Sequence, residues 1–471
     1  MSGHMQWLAN LGYENVDEHP MNKQVDTWWS WLTATADFYK SQHKSGKKRF
    51  KVERISIHPA KMVAEDWASL LFNEKTEIGC EGTGLDAAQA WLEEWLATSR
   101  FIEGMGNRAI ERCMALGTAA WALKLKDINI DGTANPSAKI ALQRFDARNI
   151  TPLTFDEDEC TECMFTSSTT MRGKELKQVQ VYRLSDSGTY EINTAIFDGD
   201  EQVERPGIAA MVDTRITTPP FALLRPGIDN TYWENSPFGV SVFDRALGAV
   251  QLVDMAVDNM NRDIYTGQKM VFLPIDMLES DTKGNYIIPR EEMQQYFVKF
   301  ENTRIGESNN PVFEYNPDLR IADNRMAIKT GLELLGRRSG LGKSFYSLDD
   351  RATVQPKTAT EVSADSAELL RSAKKHEQSI LPAIETICTA ACQLANTFQG
   401  TSLPDITGRV SVVFGDNIIE DDSVVRQRDR EDVSAGLLAG WRYIAKWEAL
   451  DDTTAKERFA EAQGETLADE E

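Results

Sequence analysis

A chain of 471 residues is too long for one ordinary hydrophobic core and predicts roughly two to four domains. Its 73 acidic and 51 basic side chains give a net charge of −22, which excludes a globally cationic coat that grips nucleic acid by neutralising phosphates. A hydrophobic fraction of 41% and eleven tryptophans exclude a mainly disordered chain.

The N-terminus lacks a cationic stretch followed by an apolar one, and no apolar run is long enough to cross a bilayer, so a soluble, non-secreted chain is predicted. Residues 1 to 118 carry helical periodicity. Trp28, Trp29 and Leu32 begin one apolar face; Val63, Trp67, Leu70 and Leu71 form a second; Leu92, Trp95 and Leu96 a third; Phe101, Met105, Ala109, Cys113 and Leu116 a fourth. Pro59 sits where the second helix should start, a position at which its missing N–H costs nothing. Lys44 to Lys51 reads as a solvated basic loop.

From Ala119 to Thr218 the period changes to alternation, with Asp131-Gly132, Asp186-Ser187-Gly188 and Asp198-Gly199 as turns, which predicts an antiparallel sheet. After a proline-punctuated connector, apolar residues from Val240 to Ile264 recur at threes and fours up to Lys269 and predict one helix of about 30 residues, roughly 45 Å long. Val271 to Arg320 reads as a small α/β module, and Ala322 to Leu335 as a shorter helix followed by a glycine-loosened segment. Thr358 to Phe398 is the longest periodic stretch, with Pro382 predicting a kink or break near Ser379. Arg409 to Phe414 reads as a strand, and Asp422 onward as helical with an acidic end.

No catalytic constellation emerges. Gly340-Leu341-Gly342-Lys343-Ser344 is like a phosphate-cradling loop, but Gly336 leaves five residues before Gly342 where that loop needs four, and no strand precedes it. Gly104 to Ala109 fits a dinucleotide fingerprint in letters only, because a helix and not a strand leads into it. Cys160 and Cys163 form a lone C-x2-C without a second pair, whereas a structural zinc site takes four ligands. The acidic run Asp156 to Glu159 with Glu162 lacks the spacing of a calcium loop. Cys388 and Cys392, four apart, fill a helix face, and six cysteines in so long a chain point to a reducing compartment. The five histidines are scattered, and no catalytic residue, metal or cofactor is predicted.

Several segments resemble the portal proteins of tailed bacteriophages, in the branch found in long-tailed phages of Gram-positive hosts. They are Asp37 to Lys40 followed by Arg54-Ile55-Ser56-Ile57-His58-Pro59-Ala60-Lys61 and Ala64 to Glu74; Ser236-Pro237-Phe238-Gly239-Val240-Ser241 leading to Asp254 and Asp258; Thr358-Ala359-Thr360-Glu361-Val362; and Phe414-Gly415-Asp416 with Asp432 to Gly436. The resemblance implies an α+β, predominantly helical portal fold with wing, stem, clip and crown, assembled as a ring of twelve subunits at one capsid vertex. By that likeness residues 1–235 form the wing, 236–270 the first stem helix, 271–321 the clip, 322–336 the second stem helix, 337–357 the tunnel loop, 358–422 the long wing helix and strand, and 423–471 the crown. It implies a non-enzymatic channel for packaging and ejecting double-stranded DNA. Its partners would be other copies of itself, major capsid and scaffolding proteins, the terminase large subunit and a head-tail adaptor, with no membrane. The location would be the virion, and the host cytoplasm during assembly.

Charge distribution fits a DNA path. Asp323 to Lys357 holds seven basic and four acidic residues, a net of +3, inside an otherwise acidic chain. Arg337, Arg338, Lys343, Arg351 and Lys357, the basic residues of the segment that the resemblance makes the tunnel loop, are the candidate DNA-channel residues, although helix C-termini attract Arg and Lys in any protein. Two other readings remain: a nucleotide-binding enzyme using Gly342, Lys343 and Ser344, and another head-tail structural protein.

Overall fold

Trp28 and Trp67, both fully buried, mark the helical half of the larger of two compact units. The computed structural model describes residues 3–348 and 359–415, except 14–15, 17–18, 46–47, 130–131, 133–134, 136, 158, 172, 205–207, 268–269, 274–281, 283–294 and 299–312, with shorter stretches between 426 and 460. One unit comprises 1–352 with 367–415, the other 353–366 with 416–471. Helix (about 47%) outweighs strand (about 22%), an α+β composition.

Helix α1 (Gly3–Asn10) is followed by α2 (Asn22–Leu32), a hairpin of β1 (Lys40–Ser45) and β2 (Lys48–Glu53), and α3 (Pro59–Leu71). The Lys44–Lys51 stretch is thus part of a strand pair and not a loop, with Lys44 opposite Arg49. Alternation there is hidden from a hydrophobicity reading because most of its residues are polar. Pro59 does open α3, directly after His58 at φ 54°. Then come β3 (Glu77–Cys80), α4 (Asp86–Thr98), a π-helical turn at Phe101–Gly106 and α5 (Asn107–Leu116). Helix α5 packs against α2 and α3. Gly106 lies so close to the Phe72 ring that an added Cβ would be 2.4 Å from it, and Gly104–Ala109 runs from the π-helical turn directly into α5, with no strand ahead of it. Gly117, at φ 75°, ends α5 in the left-handed conformation that glycine tolerates best.

The alternating region forms two sheets. One has the order β12 (Phe221–Leu224), β4 (Ala119–Lys126), β5 (Lys139–Asp146); the other is a meander of β6 (Ile150–Asp156), β7 (Glu159–Met171), β8 (Lys174–Leu184), β9 (Tyr190–Asp198) and β10 (Glu201–Gln202), with β11 (Met211–Asp213) also on β9. Phe145, Phe165, Tyr182 and Phe221 join the sheets as an aromatic layer, and Tyr182 donates its hydroxyl to the Leu123 carbonyl at 2.9 Å. On the far face of β8, Val179 and Val181 are covered by Leu8 of α1. Residues one apart on β8 therefore serve two different cores, as strand geometry requires.

Helix α6 spans Leu247–Thr266, 20 residues where the periodicity predicts about 30. Of the missing turns, Asp244–Ala246 forms a short 3-10 turn and Val240–Phe243 runs as buried irregular chain, where Val242 N–H donates to the Met114 carbonyl and, just ahead, Gly239 N–H donates to Thr118 Oγ1. Tertiary hydrogen bonds there replace those a helix would supply. Short strands β13 (Met270–Leu273), β14 (Gln295–Val298) and β15 (Phe313–Tyr315) form a mixed sheet, β13 parallel to β14. Most of the rest of the 271–321 region lies outside the described residues. Helix α7 (Ile321–Arg338) then returns antiparallel along α6, with Gly331 against Val253 and Arg320 bonded to Asp263.

Helix α8 (Ala359–Leu394) continues through Pro382 without ending. Pro382 and Gln378 are both exposed, so the carbonyl that loses its N–H partner is not sealed in a core. The inner face, Ile380, Ile384, Ile387, Cys388, Ala391 and Leu394, is fully buried. Strand β16 (Val410–Val413) pairs with β3. In the smaller unit, α9 (Gly440–Glu448) sends Lys446 and Trp447 to the buried Asp429 carboxylate at 2.6 and 2.9 Å.

Candidate functional site

Helix α7 ends at Arg338 because the chain turns through Ser339, Gly340 and Gly342, the glycines at φ 84° and 89°. Gly342 N–H donates to the Gly336 carbonyl at 3.1 Å, and a Cβ on Gly336 would lie 2.4 Å from the Gly342 oxygen. Trp67 Nε1 donates to the Ser339 carbonyl at 3.0 Å, satisfying an acceptor that a helix end leaves open. Tyr346 donates its hydroxyl to Asp66 on α3. Burial pushes the Asp66 carboxyl up, opposed by that bond. The segment after α7 is thus fastened at both ends to α3.

Of the five sequence candidates, Arg337 and Arg338 stand exposed at this turn, and Lys343 reaches back to Glu333 at 3.7 Å. Arg351 and Lys357 lie outside the described residues. Arg337 and Arg338 open onto a cleft of about 310 Å³ between the end of α7, the middle of α8 and the two connector segments around Gly227 and Val240. Arg245 and Lys375 line the same cleft, with Asp229 the one carboxylate among its described lining residues. None of these four cations forms an ion pair with a described residue. Sequence reasoning missed Arg245 and Lys375, which lie 92 and 37 residues from Arg337 and Arg338 and carry no local motif.

Each cation is on a fixed support. The residue before Arg245, Asp244, accepts from Trp28 Nε1 at 2.8 Å and from the Tyr232 hydroxyl at 3.0 Å. Beside Lys375, His376 is 3% exposed, its Nδ1 accepts from Gly227 N–H at 2.9 Å, and its ring meets Trp67 edge-on at 4.6 Å. Burial, helped by the Lys375 charge, pushes the imidazole down to about 4, so it is neutral at physiological pH. Gly227 is required there: a Cβ would lie 2.4 Å from the Lys375 carbonyl oxygen.

The enzymatic alternative finds helix α7, not a strand, ahead of Gly340–Ser344, with Lys343 engaged by Glu333. Among the described residues, no three His, Cys, Asp or Glu side chains converge as metal ligands, and no helix is long and apolar enough to cross a membrane. Cys160 and Cys163 sit on β7, bonded to carbonyls of Glu162 and Thr151. No protein-family profile matches this sequence, and no curated protein matches it.

Proposed function

We propose that the chain is the portal protein of a tailed bacteriophage. It would be one subunit of a twelve-membered ring through which double-stranded DNA enters the capsid and leaves for the tail. The ring would dock terminase and then a head-tail adaptor, and sit among capsid and scaffolding proteins. The observation that carries this reading is the α6–α7 hairpin. Its helices cover one another through Gly331 and Val253, yet Met255 (41% exposed), Ile264 (45%), Tyr265 (69%), Ile321 (44%) and Met326 (64%) face outward. Helices with apolar residues left on the outside call for further packing partners, and a ring supplies them on both flanks through one repeated heterologous contact.

The order of parts agrees with the resemblance: mixed helix and sheet, an antiparallel helix pair joined by a strand-bearing insertion, a glycine-bound turn, and a long helix. The chemistry agrees as well. A conduit has to let its cargo slide, so a chain whose acidic side chains outnumber its basic ones suits DNA passage better than a surface making many phosphate contacts would. A nucleotide-handling enzyme draws no support from the helix that leads into Gly340–Ser344.

Negative-stain imaging of the purified protein, with mass measured by light scattering, tests the proposal. A ring with a central hole is expected; a protein that stays monomeric at micromolar concentration overturns it.

A further inference from the structure

The cleft at the end of α7 gathers Arg245, Arg337, Arg338 and Lys375 from three separate parts of the chain. We propose that it binds phosphate groups. The inference stands on the geometry of one subunit and does not require the ring.

Three observations support it. First, among the described residues the four cations share one cavity with a single carboxylate, Asp229, and form no ion pair, in a chain whose net charge is −22. Acidic side chains are plentiful, yet among the described residues only Asp229 lines this cavity, and like charges held together repel unless an anion lies among them. Second, the donors are chemically suited to a tetrahedral oxyanion. Guanidinium groups offer paired N–H donors that match two oxygens of a phosphate, while the Lys375 ammonium adds a compact charge. Third, the supports are rigid: Trp67 holds Ser339, Trp28 and Tyr232 hold Asp244, and the buried His376 holds Gly227. The backbones carrying the cations are set before any ligand arrives. The neutral His376 adds no charge of its own, so the affinity resides in the four cations. The occupant is a phosphate monoanion or dianion free in solution, or a phosphodiester of a DNA duplex.

The test uses the full-length protein and two probes, inorganic phosphate and a short double-stranded DNA, titrated calorimetrically at constant pH over a series of salt concentrations. Binding of at least one probe is expected. Arg245→Ala and Lys375→Ala should each weaken it at least about fivefold at low salt, and each should reduce the salt dependence for the duplex by about one charge. Both residues are exposed, and circular dichroism and melting temperature verify that the variants fold. Lys343→Ala, which alters a lysine engaged with Glu333, should leave binding unchanged. A response to inorganic phosphate identifies a free phosphate as ligand; a response to the duplex alone identifies the phosphodiester. No binding of either probe, or binding equal in wild type and both cleft variants, overturns the inference. A monomer that binds phosphate would retain this inference and remove the portal reading, whereas a ring that binds neither probe would do the reverse.

Discussion

Tyr39 donates its hydroxyl to Asp254 Oδ2 at 2.6 Å, and both residues are buried, at 3% and 0% exposure. The same carboxylate accepts from Ser56 Oγ at 2.7 Å and from Ile57 N–H at 3.0 Å, while Asp258, one turn on, accepts from Ile55 N–H and Arg262 Nε. Two carboxylates of α6 thereby hold the extended strap that leads into α3. Burial and the Asp254 bond push the Tyr39 phenol well above its usual value, so it remains a donor.

Asp254→Ala should therefore be severe. It strands three donors at once, of which the Tyr39 hydroxyl is buried, the Ser56 hydroxyl half-buried and the Ile57 N–H carried by an exposed residue, and the expected loss is about 3 to 5 kcal/mol. Tyr39→Phe removes one bond to a charged acceptor and should cost about 1.5 to 3 kcal/mol. Urea denaturation of both variants measures the difference, and equal losses would contradict this ranking.

Acid should loosen the α7–α8 junction through His376. Its folded value of about 4 lies below the ordinary 6.5, so the unfolded chain binds the proton more readily. The stability that neutral His376 contributes is complete above pH 6.5 and is lost as pH falls toward 4, about 3 kcal/mol in all. His376→Asn, whose amide oxygen can accept from Gly227, should flatten the stability profile over that window. An unchanged slope in the variant would assign the acid sensitivity to other groups.

Gly336→Ala sets helix propensity against packing. Alanine gains about 1 kcal/mol in a helix interior over glycine. Here its Cβ would lie 2.4 Å from the Gly342 carbonyl oxygen, a backbone atom held in place by its turn. The clash wins, with a net loss of about 1 to 3 kcal/mol in thermal or chemical unfolding.

Thiol reactivity should divide the cysteines. Cys113, Cys163 and Cys388 are fully buried and burial raises their thiols, so a native-state thiol titration should leave them silent. Cys80 and Cys160 are partly exposed and should react first, with the remainder appearing on denaturation.

The helical faces of α2 to α5 were legible because amphipathic spacing reports burial directly: Trp28, Trp67, Leu92 and Leu116 all lie in cores. The same logic misjudged α6. Val240 and Phe243 are buried at helix-compatible spacing, but the chain that carries them is held by Val242 N–H on the Met114 carbonyl and Gly239 N–H on Thr118 Oγ1 rather than by a helix. Periodicity records which side chains leave water and not which conformation carries them there. At Lys44–Lys51 the reverse holds, since a strand pair built largely of polar residues leaves no hydrophobic signal.

Half of the cleft was visible in the chain itself. Arg337 and Arg338 stand out as a basic pair at a helix end, and their glycine neighbours announce the turn that exposes them. Arg245 and Lys375 could not be assigned with them, because each belongs to a segment whose local pattern says only helix or helix entry. Composition, periodicity and turn residues are local quantities, and they determined the α+β character, most of the helices and the acidic balance. Which cations share a cavity depends on how α7, α8 and the 226–245 connector pack around Trp67 and His376, and packing between distant segments is decided only in three dimensions.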